Sequence, residues 1–538
     1  MSTVPDQPTV PAHRTEATRL LCAGVYLDLD FRRRVIEELW EHRERPVAPS
    51  LGIDVAPVLG HALRARGQDA MTAFFLVVLW AGFAACDYAY VSTADPAGLP
   101  FGLDLPMVWC LMYAVVSMVY WLAQVGAGRG GSAYVVDNRT LQSGLTGHGS
   151  MRAVKVVGSC GLLSAYWELA IEAMADGAGN WPAVVFPLLL TVPVWFHRIW
   201  VASVMREELC WRAWIKDVPR IVPNRPALVE AIDREQCSQL LVYDASRPFI
   251  GMGQPGEPWF FALELKRRAG ADAATAPLTA REVLELIRPH LRDLQGPDEA
   301  VTYDSLKGLD MTELVCVPPK WRRNEVPYDP VKVGQCLREA LEGGGEWHRH
   351  FLWVRVGAWK QDVVVSVLVR VHTQGGMLVV EVAPHVLMPV RLEYRAVDAI
   401  GERGEGGLLG WIRALRTAHA AGFAAVVSTW RACSDGCRSW FAAAQRALPD
   451  SPAASVRELG SADRLSLFQE MDASRYIRTV QDRVVSGVRD ALRSRGYETD
   501  EFEQQVVQLG AGSVYIGAMS GGAVAVGREA RANARSQR

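Results

Sequence analysis

Long apolar stretches are concentrated in the N-terminal part of the chain. Four of them reach the roughly 20 residues that a helix needs to cross the hydrocarbon layer of a membrane. They are Ala70–Val91, Leu105–Val125, Val154–Ala175 and Trp181–Val204. Pro187 and Pro193 lie inside the last stretch, where a kink is better tolerated than in a soluble helix. The pattern predicts a bundle of four transmembrane helices.

Basic residues alternate from one connecting segment to the next. Segments 92–104 and 176–180 contain neither lysine nor arginine, whereas the segments before the first stretch, between the second and third, and after the fourth contain several. Because these residues are enriched on the cytoplasmic side of membrane proteins, the alternation predicts that both termini are cytoplasmic. It indicates a multi-pass protein of the cell membrane (inner or plasma membrane), with the lipid bilayer as its first partner.

Beyond the predicted spans, short β-type runs and helical stretches follow one another irregularly. Three consecutive runs have short connections between them: Phe351–Val356, Asp362–Val371 and Met377–Val382. The Gly375-Gly376 pair predicts a hairpin turn between the last two. Helical periodicity occupies Ala280–Leu294, Val331–Leu341 and Leu408–Ala421. We therefore expect a cytoplasmic α+β domain with a mostly antiparallel sheet.

Long C-terminal amphipathic helices are predicted in Ser461–Arg495, before a short β-prone tail. The predicted division is a cytoplasmic N-terminal helical segment (1–69), the four-helix transmembrane bundle (70–204), the cytoplasmic α+β domain (205–450), the amphipathic helices (451–509) and a tail rich in Gly, Ala and Val (510–538).

Composition and motifs restrict the function classes. The net charge of -2 offers no basic field for nucleic acid, so no nucleic-acid partner is expected. Gly251-Met-Gly-Gln-Pro-Gly256 has the letters of a dinucleotide-binding loop, but a strand-like run follows it where that site needs a helix N-terminus. We predict no catalytic residue, no metal ligand and no cofactor, so an enzyme of unknown type in the cytoplasmic domain is only an alternative.

Three carboxylates lie near the outer ends of the predicted spans. Asp87 is in the first, and Glu168 and Glu172 share one face of the third because they are four residues apart. Intramembrane carboxylates are costly and often functional, so one hypothesis is an ion site in a transporter or channel subunit. The alternative is that they reach the outer headgroups beside neighbouring tyrosine and tryptophan residues.

The tail repeats a short β-type motif. The pattern V-x-[IV]-G occurs twice, and its residues are Val514, Tyr515, Ile516, Gly517, Val524, Ala525, Val526 and Gly527. Apart from its glycines, this composition is typical of segments that stack as cross-β. The tail resembles the bacterial amyloid signalling motifs related to the RIP homotypic interaction motif, with Tyr515 and Ala525 where that core has glutamine. The resemblance implies assembly with itself or with a protein that carries a matching tail. The alternative is a flexible end or a hairpin on the protein's own sheet.

The rest of the chain is similar to uncharacterised multi-pass membrane proteins of actinobacteria. The phrases LCAGVYLDLDFRRRVIEEL and RPFIGMGQPGEPWFFALEL carry this resemblance, which implies no assigned activity. Together, the residues and resemblances predict a non-enzymatic membrane protein with a cytoplasmic sensing or interaction domain and an assembly tail. A more specific hypothesis is a membrane-acting effector in bacterial defence signalling.

Overall fold

The chain divides into two units, and each is assembled from separate stretches of sequence. The helical unit comprises Met1–Glu41, Ala56–Asn224 and Leu392–Arg446, and the sheet unit comprises His42–Val55, Arg225–Arg391 and Ala447–Arg538. The computed structural model describes residues 14–91, 107–126, 149–175, 181–216, 220–268, 277–295, 306, 308–343, 345, 347–358, 362–403, 406–441 and 450–512.

The first part of the chain is helical. Its helices are α1 (Glu16–Leu27), α2 (Leu29–Ile36), α3 (Val55–Val91), α4 (Val108–Gly126), α5 (Gly149–Ala175), α6 (Trp181–Leu189), α7 (Thr191–Val204) and α8 (Trp211–Trp214). A π-helical turn, Met205–Leu209, extends α7. α1 begins with Thr15 as its N-cap, and Asp28 caps α2 by accepting hydrogen bonds from the N–H groups of Asp30 and Phe31.

The second part contains the strands. Its elements are α9 (Pro226–Gln236), β1 (Leu240–Val242), β2 (Gln254–Pro255), β3 (Trp259–Glu264), α10 (Ala280–Arg292), β4 (Leu309–Val317), α11 (Pro330–Gly343), β5 (Arg349–Ala358), β6 (Val363–Gln374), β7 (Met377–Leu387), α12 (Ala396–Arg403), α13 (Gly407–Phe441), α14 (Val456–Leu459), α15 (Leu467–Ser494) and α16 (Asp500–Gly512). The predicted hairpin at Gly375-Gly376 is confirmed, because Gln374 pairs with Met377 across it.

Two helical stretches in the described residues are long and apolar enough to cross a membrane. They are Val55–Ala89, with 35 residues, and Trp181–Leu209, with 29. In the most apolar part of each stretch, only 22% of the first and 44% of the second is buried. A core helix of a soluble protein would be mostly buried, so these two helices allow association with a membrane.

The predicted bundle of four transmembrane helices is therefore wrong. In the predicted second span, α4 begins at Val108, directly after Met107, whose φ is 63°. Its apolar helical stretch, Val108–Ala123, is shorter than the two membrane-capable stretches. In α5, Arg152, Lys155, Glu168 and Glu172 interrupt the apolar sequence. A further helix, α13, packs in the helical unit through Ala414, Ala418 and Ala421.

The sheet is mixed, so the prediction of a mostly antiparallel sheet is also wrong. The strand order is β1-β4-β5-β6-β7-β2, and β3 also pairs with β7. β1 runs parallel to β4, with Leu240 beside Val315, whereas the other pairs are antiparallel. A parallel pair needs a long crossover connection. Here β2, β3 and α10 lie between its two strands, so no local pattern predicted the pairing.

Both faces of the sheet are covered. Helices α10 and α15 bury the apolar residues of one face, including Val365, Val367 and Val380. They approach closely at Gly487, where an added Cβ would lie 2.6 Å from the Cα of Ile287. On the other face, Leu51 and Met252 pack with side chains such as Trp353. β-branched residues suit this double burial because they pack well on a pleated surface.

The segment His42–Val55 belongs to the sheet unit although it precedes α3 in sequence. Val47 N–H donates to the Glu235 carboxylate at 2.9 Å, and Val55 N–H donates to Gln236 Oε1 at 3.0 Å. Arg323 forms a buried ion pair with Glu235 at 2.8 Å. Two side chains at the end of α9 therefore hold this segment.

Candidate functional site

The three carboxylates predicted as an ion site do not share one environment. Asp87 is fully buried, and its Oδ2 accepts a hydrogen bond from the N–H of Cys110 at 2.9 Å. Glu168 and Glu172 are exposed on α5. Because Cys110 lies in the first turn of α4, Asp87 satisfies a backbone donor that the helix itself cannot pair. Asp87 thus has a structural role at the start of α4.

A histidine that the sequence analysis missed lies among aromatic rings of the helical unit. His419 of α13 is 4% exposed, and its Nδ1 lies 2.8 Å from the hydroxyl of Tyr113. The rings of Tyr113, Tyr120 and Trp167 lie edge-on to it, with centroid distances of 6.0, 6.3 and 6.2 Å. Tyr120 also donates to the carbonyl of Arg416 at 3.2 Å. These contacts fix α13 against α4.

Helix α12, which precedes α13 in the helical unit, is fixed by an ion pair. Arg19 of α1 donates to Asp398 of α12 at 2.9 Å and to the carbonyl of Leu209 at 2.9 Å. Asp398 also accepts from the N–H of Trp211 at 2.8 Å. An arginine 2% exposed needs such partners because an unpaired buried charge is costly. Residues 392–446, placed in the α+β domain in the predicted division, belong to the helical unit, where Asp398 and His419 make two of their contacts.

A polar chain lies where α2, α3 and α7 meet. Arg32 forms an ion pair with Asp69, and His197 Nε2 lies 3.6 Å from Asp69 Oδ1. On its other side, His197 Nδ1 is 3.2 Å from the hydroxyl of Thr72, which itself donates to the carbonyl of Gln68. Arg32, Thr72 and His197 are buried. Both ring nitrogens of His197 have polar neighbours. This row of polar side chains therefore orients α2, α3 and α7 relative to one another.

The glycine-rich loop of the sheet unit holds a carboxylate of the protein itself. The N–H groups of Gly251 and Gly253 both donate to Glu458 Oε1 at 2.8 Å. These glycines have φ of 98° and 96°, in the left-handed region that favours glycine. Successive N–H groups in such a turn form an anion-binding concavity. The predicted absence of a following helix is confirmed, because β2 and β3 follow the loop.

The carboxylate of Glu458 is partly buried where it accepts these two hydrogen bonds. Burial raises the pKa of its carboxyl, and the donors at Gly253 and Gly251 oppose that rise. Arg457, the preceding residue in α14, is fully buried and donates to the carbonyl of Asp362 at 2.9 Å. Two charged neighbours thus attach α14 to the loop and to the sheet. The sequence separation of 207 residues between Glu458 and Gly251 hid the contact from sequence reasoning.

Polar side chains form a row across the middle of the sheet. The register places Asp310, Arg355, Ser366 and His385 side by side on β4, β5, β6 and β7. Asp310 and Arg355 form an ion pair. Burial lowers the pKa of His385 to about 4, so its ring is neutral near pH 7. Within the described residues, the buried Ser366 hydroxyl has no hydrogen-bond partner, so Ser366 and His385 lack the bond of an activated nucleophile and its base.

The predicted assembly motif, Val514–Gly517 and Val524–Gly527, lies outside the described residues, which end at 512. Its role stays a prediction.

Comparison with known proteins gives one finding. Residues 258–524 match the family model of the AbeC-like domain. The description names a domain and no activity. The matched region begins just before β3, includes α12 and α13 of the helical unit, and ends inside the tail. No curated protein matches the chain, and no solved structure matches it.

Proposed function

We propose that the chain is a non-enzymatic membrane-associated protein whose sheet unit binds a ligand or partner and whose helix α13 transmits that binding to the membrane helices. One observation carries the proposal. Helices α12 and α13 follow β7 in sequence and precede α14, yet they pack in the helical unit. The chain thus leaves the sheet unit and returns to it through a helix held by Tyr113 and His419.

The outward face of the helical unit supports membrane association. Phe74, Phe75 and Val78 of α3 are 64%, 52% and 50% exposed, and Phe196 of α7 is 60% exposed. Large exposed apolar side chains on helices long enough to cross a membrane support a membrane interface. Two crossing helices would return the chain to its starting side. With the charge pattern around them, we place both termini in the cytoplasm and the helices in the cell membrane.

The packing of α13 suits a transmitting role. Its buried face presents Ala414, Ala418 and Ala421, small residues that allow helices to approach closely. His419 adds one buried hydrogen bond, to Tyr113. Coupling between distant sites requires an element with two arrangements that both sites bias. A helix held by small residues and by two hydrogen bonds to α4 can shift its position without opening a large cavity.

The tail supplies the assembly step of this proposal. Its two V-x-[IV]-G motifs would pair with a second copy or with a protein carrying a matching tail. Under the more specific hypothesis, such assembly would trigger the membrane helices as an effector in bacterial defence signalling. This step rests on the tail's resemblance and composition. The buried, backbone-bonded Asp87 and the exposed Glu168 and Glu172 supply no comparable support for an ion site.

The test is the variant Tyr113→Phe in the full chain, reconstituted in lipid nanodiscs. It removes one hydrogen bond while keeping the aromatic ring, so we expect amide exchange in α13 to accelerate about two- to tenfold. If α13 transmits, the amides of α14, where the chain re-enters the sheet unit, accelerate as well. Hydrogen exchange read by mass spectrometry measures both segments.

The matched control is Tyr88→Phe, because Tyr88 is 53% exposed on α3. We expect it to change exchange in neither α13 nor α14. Faster exchange of α13 with unchanged α14 would contradict transmission and leave α13 as an anchor.

A further inference from the structure

Strand β3 presents a free backbone edge. Leu265 N–H donates to the carbonyl of Gly376 at 2.8 Å, which continues the antiparallel register of Phe261 with Val380. Since the direction of backbone groups alternates along an antiparallel strand, the N–H groups of Phe260, Ala262 and Glu264 point away from β7. Within the part of the chain that the structure describes, β7 is the only strand paired with β3.

This edge is only partly protected: α16 reaches it at Ala262, and backbone pairing of Lys266 and Arg268 with residues 496–498 begins just beyond its end. Natural edge strands are usually short, bulged, charged or covered, because unpaired N–H and C=O groups recruit other strands. β3 has six residues, and its only charged side chain is that of Glu264, at its end. Phe260 is 71% exposed. A further strand beside β3 would pair the outward N–H groups and cover part of this ring.

Helix α16 brings the C-terminal part of the chain to this strand. The ring of Phe502 lies 5.1 Å from that of Phe261, edge to face. Gln505 Nε2 donates to the outward carbonyl of Ala262 at 3.4 Å, a long bond that a backbone donor could replace. α16 ends at Gly512, about 10 Å further along the helix axis at 1.5 Å per residue. An extended chain covers that distance in about three residues.

The family match joins the same two segments. It begins at Pro258, immediately before β3, and ends at Val524, inside the tail. The domain therefore includes both the edge strand and the first V-x-[IV]-G motif, Val514–Gly517. A segment that belongs to the domain's own sequence pattern is better explained as part of its fold than as an appended tag. Its β-branched residues and scarcity of charge suit a strand.

We propose that residues 514–524 pair with the free edge of β3 in the same molecule and extend the sheet by one strand. The pairing uses the N–H groups of Phe260, Ala262 and Glu264 and replaces the contact of Gln505 with Ala262. It goes beyond the proposed function, because a docked tail is withheld from assembly until it is released. The pairing does not depend on α13, so either proposal can fail without the other.

Hydrogen exchange of the full chain in nanodiscs tests the pairing. We compare the full chain with a chain that ends at Gly512. With the tail present, we expect the amides of β3 and of residues 514–524 to exchange at least about tenfold more slowly than β3 without the tail and than an unstructured tail. The slow exchange should be the same at two protein concentrations that differ about tenfold, since pairing within one molecule is independent of concentration.

Proline substitutions provide matched variants. Ile516→Pro interrupts the proposed strand and should release both β3 and the tail, whereas Ala532→Pro lies beyond the family match and should release neither. Ala262→Pro removes one outward donor, at a position where an edge strand tolerates proline. It should release residues 514–524 while β5 and β6 stay protected. If β5 and β6 are also released, Ile516→Pro alone decides the result.

Two outcomes would overturn the proposal. One is unchanged exchange of β3 when residues 513–538 are removed. The other is protection that rises with concentration together with a dimer in light scattering, which would assign the tail to the edge of a second copy.

Discussion

The two units differ in the elements that carry their exposed apolar side chains. In the helical unit, Asp87, Ser117 and Thr191 are completely buried, while Phe74 and Phe196 are more than half exposed. In the sheet unit, valines such as Val365 and Val367 are completely buried between sheet and helices. Water penalises exposed apolar surface, whereas hydrocarbon penalises exposed polar groups. The sheet unit also buries Ser366 and exposes Val331 and Trp347, so the contrast rests on the two long apolar helices, which among the described residues lie almost wholly in the helical unit.

The largest expected effect concerns the outward face of α3. We expect Phe75→Asp combined with Val78→Asp to abolish membrane retention, because an aspartate at the centre of a membrane helix costs about 2.5–3.5 kcal/mol. Flotation of cell membranes on a density gradient measures retention. The control is Val331→Asp with Trp347→Asp, two apolar residues of the sheet unit that are more exposed than Phe75 and Val78, and it should not change retention. Full membrane retention of the α3 variant would contradict a membrane contact of this face.

The next prediction concerns the close packing of Gly253, in the glycine-rich loop of the sheet unit. In Gly253→Ala, the new Cβ would lie 2.3 Å from the carbonyl oxygen of Val386 at a φ of 96°, so we expect the sheet to lose about 3 kcal/mol or more. Gly375→Ala has a positive φ but open space around the Cβ, and should lose about 1 kcal/mol.

Exchange of the β6 and β7 amides measures this free energy. Membrane retention should stay unchanged in both glycine variants, because the helices that carry it are elsewhere. Equal losses in the two variants would show that the close approach at Gly253 is unimportant.

A smaller effect is expected at Glu458. Glu458→Ala leaves the N–H groups of Gly251 and Gly253 without their acceptor, which costs about 1–3 kcal/mol. Glu458→Gln retains an acceptor oxygen and removes a buried charge, so its effect should stay within about 1 kcal/mol. The same exchange measurement separates the two variants. If they are equally unstable, the charge itself holds the loop.

The pH dependence sharpens this test. Burial raises the pKa of Glu458 above its ordinary value of 4.5, so the folded state binds the proton more tightly than the unfolded chain. The stability from this group is fully present below pH 4.5 and is lost as pH rises through the raised pKa. We expect the native chain to lose stability over that range relative to Glu458→Gln. Parallel pH profiles would contradict the desolvated carboxylate.

Local patterns predicted the parts of the fold that neighbours in sequence determine. The runs Phe351–Val356, Asp362–Val371 and Met377–Val382 are β5, β6 and β7, because β-branched residues and a glycine turn are signals that act over a few residues. The helical stretches Ala280–Leu294 and Val331–Leu341 are α10 and α11. The first and fourth predicted stretches, in α3 and in α6 with α7, are the two that the described residues show as long and apolar enough to cross a membrane.

Contacts over long sequence separations could not be predicted. His419 meets Tyr113 across 306 residues, and nothing near Leu408–Ala421 distinguishes a helix of the sheet unit from one of the helical unit. Glu458 is an ordinary surface residue by sequence, and its role depends on the backbone conformation at Gly251 and Gly253. Hydropathy predicted four spans, whereas two helices of the described residues are long and apolar enough to cross a membrane.

The position of α12 and α13 in the helical unit has a consequence for the synthesis and the evolution of this protein. During synthesis, α3, α6 and α7 leave the ribosome long before α13 does, so the helical unit cannot be completed until almost all strands have been translated. Neither unit is one uninterrupted stretch of the gene. A single contiguous segment that carries one whole unit therefore also carries part of the other, which ties the two to a common evolutionary history.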